Sequence, residues 1–340
     1  MVKRCLIITD SPSSIIASND MFGTYLEYDI PGTETDFYAL TSDGHGNWVC
    51  GHYGLYYSHD DGVTWVLSNY TDSPEHDYIA SIATDGLGNW VAVEGLNSTD
   101  IYEHFVLLST DNGETWSVAA GGMENARGVA YGNGVWIMTT IDELYRSTNI
   151  TNWTKIIDDS ANLSFQQVAA DGAGVWCAAV QYGDTWVESD PPGDGGYPGQ
   201  VWRSDDNGLT WAKVLQSVLD VGYWAIATDK AGVWCVARDY LYVGYTGEIH
   251  RSTDNGATWD SVATGATMVD APNLAADGEG NWAIATWDTN DQDLVLLSDD
   301  NGATWTIFSP VTHHWYSSAV AFGGSLCPAP EINVGDVDFV

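Results

Sequence analysis

The sequence predicts an all-β fold built from repeated four-stranded antiparallel sheets, and three observations support this prediction. The 340 residues include 36 Gly and 17 Trp but only 10 Lys plus Arg. Frequent Gly and aromatic residues favour short strands that are joined by tight turns. Two short motifs alternate along almost the whole chain, and hydrophobic residues make up 44% of it, which is enough for a sizeable core.

The first motif has the form Ser-x-Asp-x-Gly-x-Thr-Trp and predicts a tight turn between two strands. Its seven copies, five clean and two worn, begin at Ser18, Ser58, Ser109, Ser147, Ser204, Ser252 and Ser298. The Asp accepts N–H groups inside the turn and the Gly supplies a positive φ, although the Gly of the first copy is displaced by one position. The acidic or amide residue that organises each turn is Asp20, Asp60, Asp111, Asn149, Asp206, Asp254 or Asp300.

The second motif is roughly Ala-x-Asp-Gly-x-Gly-x-Trp and predicts the turn between the other two strands of each sheet. Its six recognisable copies centre on Trp48, Trp90, Trp136, Trp176, Trp234 and Trp282. A seventh, worn copy runs from Ala319 to Cys327. Each sheet is therefore expected to consist of a strand, a Gly-rich turn, a strand, a connection, a strand, an Asp-containing turn and a strand.

Seven copies of each motif predict a single seven-bladed β-propeller. Copies of the first motif begin 38 to 57 residues apart, close to the length of one four-stranded blade. N-terminal residues from about 5 to 30 should supply the outer strands of one blade, and residues from about 315 to 328 its inner strands. This pairing closes the ring and removes exposed sheet edges. We expect one domain over residues 1–340, with the repeat at about 5–328 and a C-terminal tail at 329–340.

Ser-x-Asp-x-Gly-x-Thr-Trp is similar to the Asp-box, or bacterial neuraminidase repeat, and the chain resembles the sialidase-like Asp-box propellers over nearly its whole length. The resemblance implies a fold rather than a reaction, because such repeats occur in sialidases, xyloglucan-active glycosidases, sortilin-type receptors and photosystem II assembly factors. Sialidases of this kind bind the substrate carboxylate with three arginines. Here Arg146, Arg203 and Arg251 each precede an Asp-box Ser, near the turns, and the sialidase Arg-Ile-Pro signature is absent. We therefore predict no sialidase activity and no catalytic residue.

Loops of variable length are the predicted binding site, because variable loops on a rigid scaffold usually carry binding residues. Both kinds of Gly-rich turn should lie on one face of the ring, which we interpret as structural. The other connections should lie on the opposite face, where flat aromatic rings beside hydrogen-bonding groups suit sugar rings; packing between blades is the alternative role of these aromatics. The candidate ligand-binding residues are Tyr78, Arg127, Tyr182, Trp186, Tyr223, Trp224, Trp287 and Trp315.

Charge and composition exclude several classes of partner. The formal net charge is −37 at pH 7, so nucleic acid and anionic membranes are poor partners. No apolar run approaches the roughly 20 residues of a membrane helix, and the N-terminal apolar run is too short for a Sec signal peptide. The five cysteines lack metal-type spacing and should be buried in strands. We predict no metal site and no cofactor; loop acids such as Asp288, Asp291 and Asp293 would suit calcium but match no known calcium loop.

We interpret the chain as a non-enzymatic binding or structural propeller. The favoured hypothesis is a phage virion surface or tail-adhesion component that recognises host-surface glycan through its aromatic loops, located in the virion or otherwise in the cytoplasm. One alternative is a cytoplasmic or exported bacterial scaffold that docks a protein partner. The other is a glycoside hydrolase, since two carboxylates across a cleft are sufficient and the chain has 47 acidic residues.

Overall fold

The computed structural model describes most of the repeat region. The described residues are 4–9, 14–30, 37–51, 53–70, 78–95, 104–123, 125–157, 163–183, 197–217, 221–238, 248–266, 268, 270–287, 293–308 and 317–323. Only the backbone is described for Thr9, Ser14, Asp29, Asp270, Ala271, Pro272, Trp287, Asp293, Ser317 and Ser318. The predicted tail at 329–340 lies outside these residues, as does Cys327.

Seven antiparallel sheets form a ring, which confirms the predicted seven-bladed, all-β fold. We number the blades from 1 to 7, beginning with the blade that contains both chain ends. The innermost strands of blades 1 to 7 are β29 (Ser317–Gly323), β4 (Ala39–Ser42), β9 (Ile79–Thr84), β13 (Ala126–Gly132), β17 (Phe165–Ala170), β21 (Tyr223–Thr228) and β25 (Asp270–Ala276). The second strands are β1 (Arg4–Thr9), β5 (Trp48–Gly51), β10 (Trp90–Glu94), β14 (Val135–Thr140), β18 (Trp176–Val180), β22 (Trp234–Arg238) and β26 (Trp282–Trp287).

The outer half of each blade contains the Asp-box turn. The third strands are β2 (Ser14–Ser18), β6 (Leu55–Ser58), β11 (Phe105–Ser109), β15 (Leu144–Ser147), β19 (Gln200–Ser204), β23 (Glu248–Ser252) and β27 (Asp293–Ser298). The outermost strands are β3 (Leu26–Asp29), β7 (Val66–Leu67), β12 (Thr115–Gly121), β16 (Thr154–Ile157), β20 (Ala212–Gln216), β24 (Asp260–Ala263) and β28 (Thr306–Phe308). One further strand, β8 (Asn69–Tyr70), pairs in parallel with β12 and covers the outer edge of blade 3.

Pairing of the two chain ends closes the ring, as the sequence predicts. Strand β29 pairs with β1 in blade 1, with Val320 opposite Ile7. The division within this blade is three strands from the N-terminus and one from the C-terminus. Cys5 lies opposite Ser18 just as Trp48 lies opposite Ser58. The N-terminal segment therefore supplies the second strand of blade 1, and Cys5 stands where the other six blades have Trp.

The hydrophobic core lies between the blades. Among the described residues the buried apolar side chains form seven clusters, and each combines residues from two neighbouring blades. The tryptophans of the second strands are at the centre of this packing; Trp90, Trp176 and Trp234 are fully buried. The four described cysteines are buried thiols, as predicted. Because every blade buries one face against each neighbour, removing one large side chain disturbs a continuous ring of contacts.

The Asp-box turns are hydrogen-bonded as their residue types predict. In blade 5 the Asp206 carboxylate accepts bonds from the Thr210 N–H (2.8 Å) and the Thr210 hydroxyl (2.6 Å). The Ser204 hydroxyl donates to the same carboxylate at 2.8 Å and accepts from the Gly208 N–H at 3.0 Å. In the worn first copy, Phe22 takes the position of the glycine with φ +65°. Its ring is buried and stacks on Phe308 at 5.1 Å, so packing compensates for an unfavourable backbone conformation.

The Asp-box carboxylates make a specific prediction for acid stability. The Thr210 hydroxyl and N–H hold the pKa of Asp206 at about 2. A carboxyl whose pKa is lowered in the folded state stabilises the fold above its unfolded pKa of about 4 and loses this effect as the pH falls through about 2. We expect Asp206→Asn to lower the free energy of unfolding by about 1 kcal/mol at neutral pH, a modest value because water screens this exposed group. The difference from the unsubstituted protein should shrink towards zero near pH 2.

Urea unfolding between about pH 7 and about pH 2 measures this difference. Asp205→Asn is the matched control, because it removes the same charge from the neighbouring residue, whose side chain is 70% exposed. A deficit in Asp206→Asn that stays constant down to about pH 2 would contradict the lowered pKa.

Candidate functional site

The two faces of the ring differ in their connections. The Asp61 N–H donates to the Gly46 carbonyl at 3.0 Å, and the Trp48 indole N–H donates to the Asp61 carboxylate at 3.0 Å. Equivalent backbone bonds join Asn207 to Gly174 and Asn255 to Gly232. Both kinds of Gly-rich turn therefore lie on one face, as predicted. The opposite face, where the innermost strands begin and the second strands end, is called here the variable face.

Three arginines hold neighbouring blades together on the structural face. The Nε–H groups of Arg146, Arg203 and Arg251 donate to the carbonyl oxygens of Asn207, Asn255 and Asn301 at 3.0, 2.9 and 2.6 Å. Each acceptor belongs to the Asp-box of the next blade along the chain. These arginines therefore serve the ring and not a ligand, in agreement with their place beside the Asp-box serines.

On the variable face, the predicted residues Tyr78 and Arg127 form a row with Tyr38 at the mouth of the central channel, and neighbours in the row contact each other. Tyr38, Tyr78 and Arg127 lie at the beginning of the innermost strands of three successive blades. The rings of Tyr38 and Tyr78 meet edge to face at 5.8 Å, and Arg127 Nη1 donates to the Tyr78 hydroxyl at 3.3 Å. Tyr38 is 43% exposed, whereas Tyr78 and Arg127 are half-buried. We call this set the mouth row.

Tyr223 lies at the beginning of β21 and is buried. Its side chain is fully buried, its ring meets His250 edge to face at 5.5 Å, and its hydroxyl lies 3.4 Å from His250 Nδ1. Burial, together with the nearby Arg238 guanidinium, lowers the pKa of His250. Tyr223 belongs to the buried cluster between blades 5 and 6, which is the alternative role of these aromatics, and its contact with a ligand stays a prediction. Its neighbour Trp224 is half-buried.

The remaining predicted residues are distributed over the variable face. Tyr182 is 40% exposed just after β18. Trp287 ends β26, and its side chain lies outside the described residues. Trp186 and Trp315 lie outside the described residues altogether, as do the loop acids Asp288 and Asp291.

Three further exposed tyrosines lie on this face, and sequence reasoning missed two of them, Tyr38 and Tyr53. Tyr38, Tyr53 and Tyr197 are 43%, 52% and 44% exposed. The available signal was the alternation of strand residues: Phe37 is 1% exposed, so the next residue, Tyr38, points to the other side. Together with Tyr182 they make the variable face rich in accessible tyrosine.

The central channel is narrow and nearly uncharged. It has a volume of about 310 Å³ and is lined by the innermost strands, mostly by Ala, Ser, Thr and Val side chains. Among its described lining residues, Lys230 is the one charged side chain. The described channel wall therefore offers no pair of carboxylates, and a ligand meets chemically diverse groups at the mouth rather than inside.

Comparisons with known proteins agree on the fold. A BNR/Asp-box repeat model matches residues 107–118. YCF48 bound to D1 peptide is similar with a TM-score of 0.62 and 12% identity, over 92% of this chain and 91% of that one. A protein from Lactobacillus plantarum has a TM-score of 0.65 and 10% identity, over 95% and 99%. A GH74 xyloglucanase from Xanthomonas campestris has a TM-score of 0.60 and 16% identity, over 80% of this chain and 45% of its own.

No curated protein sequence matches the chain. The described residues contain no helix that is long and apolar enough to cross a membrane. Identities of this size establish a shared fold and not a shared activity. The chain is therefore a seven-bladed β-propeller of four-stranded blades, with a BNR/Asp-box repeat matched at residues 107–118.

Proposed function

We propose that the chain is a non-enzymatic binding propeller that captures a segment of a protein partner on its variable face. The observation that carries the proposal is the mouth row, in which Tyr38, Tyr78 and Arg127 contact one another across three blades. Tyrosine and arginine are enriched at protein interfaces because they combine large apolar area with hydrogen bonding. Their positions at the N-terminal ends of the innermost strands reduce the entropy that is lost on binding.

The carboxylates support a binding role over hydrolysis. Glycosidases need a carboxylic acid with a raised pKa as proton donor. On the variable face, the Glu94 side chain is buried and accepts the Phe105 N–H at 2.9 Å, and Glu248 pairs with Arg238. Among the described residues, the carboxyl pKa values with a resolved shift are all lowered, and all belong to Asp-boxes, such as Asp206 and Asp254. These carboxylates suit structural roles.

Charge and fold similarity favour a protein segment as the ligand. A net charge of −37 attracts basic partners and accelerates their association. YCF48, which has the same fold, has a bound peptide in its solved structure. The four exposed tyrosines on the variable face are rigid amphipathic contacts of the kind that peptide-binding surfaces use.

Glycan binding is the second candidate. Tyr182 and Tyr197, at the two ends of one loop, are 40% and 44% exposed, and flat phenol rings stack on sugar faces as well as on peptides. In this case the chain would act as the predicted adhesin at a virion surface.

The test compares two tyrosines with equal exposure on opposite faces. Peptides selected from a random library on the immobilised protein, and a broad glycan array, are both probed with the unsubstituted protein and with Tyr38→Ala. We expect peptide affinity to fall about tenfold in Tyr38→Ala, the effect of a moderate interface hot spot. Tyr25→Ala is the matched control, because Tyr25 is also 43% exposed but belongs to an Asp-box on the structural face.

Each result has a defined meaning. Glycan signals that depend on Tyr38, without peptide binding, would show that the ligand is a sugar and not a protein segment. New reducing ends in the glycan wells would show that the protein hydrolyses glycan, which would contradict a purely binding role. Peptides that bind Tyr38→Ala as tightly as the unsubstituted protein would show that the mouth row is not the site.

A further inference from the structure

A polar cavity lies beside the mouth row, where blades 3 and 4 meet on the variable face. Its volume is about 310 Å³, and its lining includes Asn125, Asp142, Glu143, Tyr145 and Lys155. Asn125 precedes Arg127 by two residues, so the cavity and the mouth row share the beginning of β13. This volume suits a single side chain or another small polar group.

Two acceptors in this cavity are held in place by their backbones. The Asn125 carbonyl accepts the Ile141 N–H at 3.1 Å, which joins the beginning of β13 to the turn after β14. Within that turn the Thr140 N–H donates to the Glu143 carbonyl at 2.9 Å, and the Glu143 N–H donates to the Thr140 hydroxyl at 3.1 Å. The positions of Asn125 and Glu143 are therefore fixed relative to each other.

One of these acceptors lacks a donor within the described part of the chain. The side-chain oxygen Oδ1 of Asn125 is buried and has no hydrogen-bond partner there. A buried acceptor without a donor costs free energy, and such groups often mark the position of a ligand. Asn125 therefore lines this cavity together with the two acidic residues Asp142 and Glu143.

The Glu143 carboxylate already binds a cationic side chain of the protein itself. The Lys155 ammonium bonds to the Glu143 carboxylate and lies 5.6 Å from the centre of the Tyr145 ring. The Tyr145 hydroxyl donates to the same carboxylate. The hydrogen bond to Glu143 raises the pKa of Lys155. Carboxylate and aromatic face together make a receptor for a cationic nitrogen. Because the Lys155 side chain is 43% exposed, it can leave this position without opening the core.

We infer that this cavity binds the cationic side chain, arginine or lysine, of the protein segment that the variable face captures, in place of Lys155. The incoming guanidinium or ammonium bonds to Glu143 and donates to Asn125 Oδ1, which satisfies the buried acceptor. Two carboxylates against one ammonium leave the cavity with one net negative charge, −2 + 1 = −1, so a cation is attracted even while Lys155 is present. The identity of the ligand as part of a protein rests on the proposed function.

The experiment uses small probes, so that it does not depend on finding the partner. Acetyl-arginine methylamide and acetyl-lysine methylamide are titrated into the full chain, with acetyl-glutamine methylamide as the neutral probe, and binding is followed by saturation-transfer NMR. We expect Glu143→Gln to weaken binding of the cationic probes at least about fivefold, because it removes the charge-assisted bond. Lys155→Met should strengthen it about threefold or more, because it removes the internal competitor.

The matched control is Lys213→Met. Lys213 has the same place in β20 as Lys155 has in β16, two residues after the Asp-box Trp, but it donates to the Gln216 side-chain oxygen at 3.0 Å. Lys213→Met should leave probe binding within error. Equal binding of the neutral probe, or a Lys155→Met variant that binds no tighter than Lys213→Met, would overturn the inference. Circular dichroism on each variant separates a binding effect from unfolding.

The same variants separate this inference from the proposed function. Selected peptides whose binding depends on Tyr38 but is unchanged by Glu143→Gln would support the proposed function and contradict the cation site. Cationic probes whose binding depends on Glu143, together with no peptide binding at the mouth row, would support the cation site and contradict the proposed protein partner.

Discussion

Trp234→Ala is expected to lower the free energy of unfolding by about 3–5 kcal/mol, the usual cost of removing a large buried aromatic side chain. Trp234 is fully buried and belongs to a cluster that joins blades 5 and 6. Its indole N–H donates to Asn255 Oδ1 at 2.8 Å, so the substitution also leaves a half-buried acceptor without this donor. The measurement is urea unfolding followed by circular dichroism at neutral pH.

Two further variants divide this effect into its causes. Trp234→Phe keeps most of the packing and loses the hydrogen bond to Asn255, so we expect a loss of about 1–2 kcal/mol. Trp211→Ala removes an Asp-box tryptophan that is only half-buried, so it should cost clearly less than Trp234→Ala. Equal losses at Trp211 and Trp234 would mean that the second strands do not form the principal core.

Gly302→Ala is expected to cost about 2–4 kcal/mol, a large effect for the addition of one methyl group. Gly302 has φ +74°, and an added Cβ would lie 2.7 Å from the Sγ atom of Cys235 in the adjacent blade. The substitution therefore combines a left-handed backbone for a side-chain-bearing residue with overpacking between blades. Gly256 faces Cys177 in the same way, also at 2.7 Å.

Gly265→Ala is the control for backbone strain alone. Gly265 has φ +72°, and nothing lies within 4 Å of an added Cβ, so its loss should be about 1–2 kcal/mol. In a Cys235→Ala background the Sγ atom is absent, and Gly302→Ala should then cost no more than Gly265→Ala. A double-mutant cycle in urea measures this coupling, and an energy near zero would contradict the contact.

The fold could be predicted well because its signals are local. In each Asp-box the Ser, Asp, Gly and Thr lie within eight residues of one another and satisfy each other's hydrogen bonds, as Ser204, Asp206 and Thr210 do. Turn chemistry of this kind does not depend on distant parts of the chain. Counting the turns therefore predicts the number of blades.

The candidate site could be predicted only in outline. The choice of the variable face followed from loop length, and Tyr78 and Arg127 do meet there. Tyr223 could not be separated from them, because a tyrosine at the beginning of an innermost strand looks the same in sequence whether it is fully buried or half-exposed. Burial depends on the neighbouring blade, and Tyr223 of blade 6 belongs to a buried cluster with Cys177 and Val201 of blade 5.

The sequence by itself determined the architecture of this protein: seven blades, the order of their strands, the face that carries the Asp-boxes and closure by the two chain ends. Only the tertiary structure decided which residues meet across blades. Arg127 contacts Tyr78 across 49 residues, and Arg203 contacts Asn255 across 52. Because β1 pairs with β29, it forms the second strand of blade 1, and Cys5 occupies the position that tryptophan has in the other blades. Such contacts depend on the curvature and closure of the whole ring, and no local pattern records them.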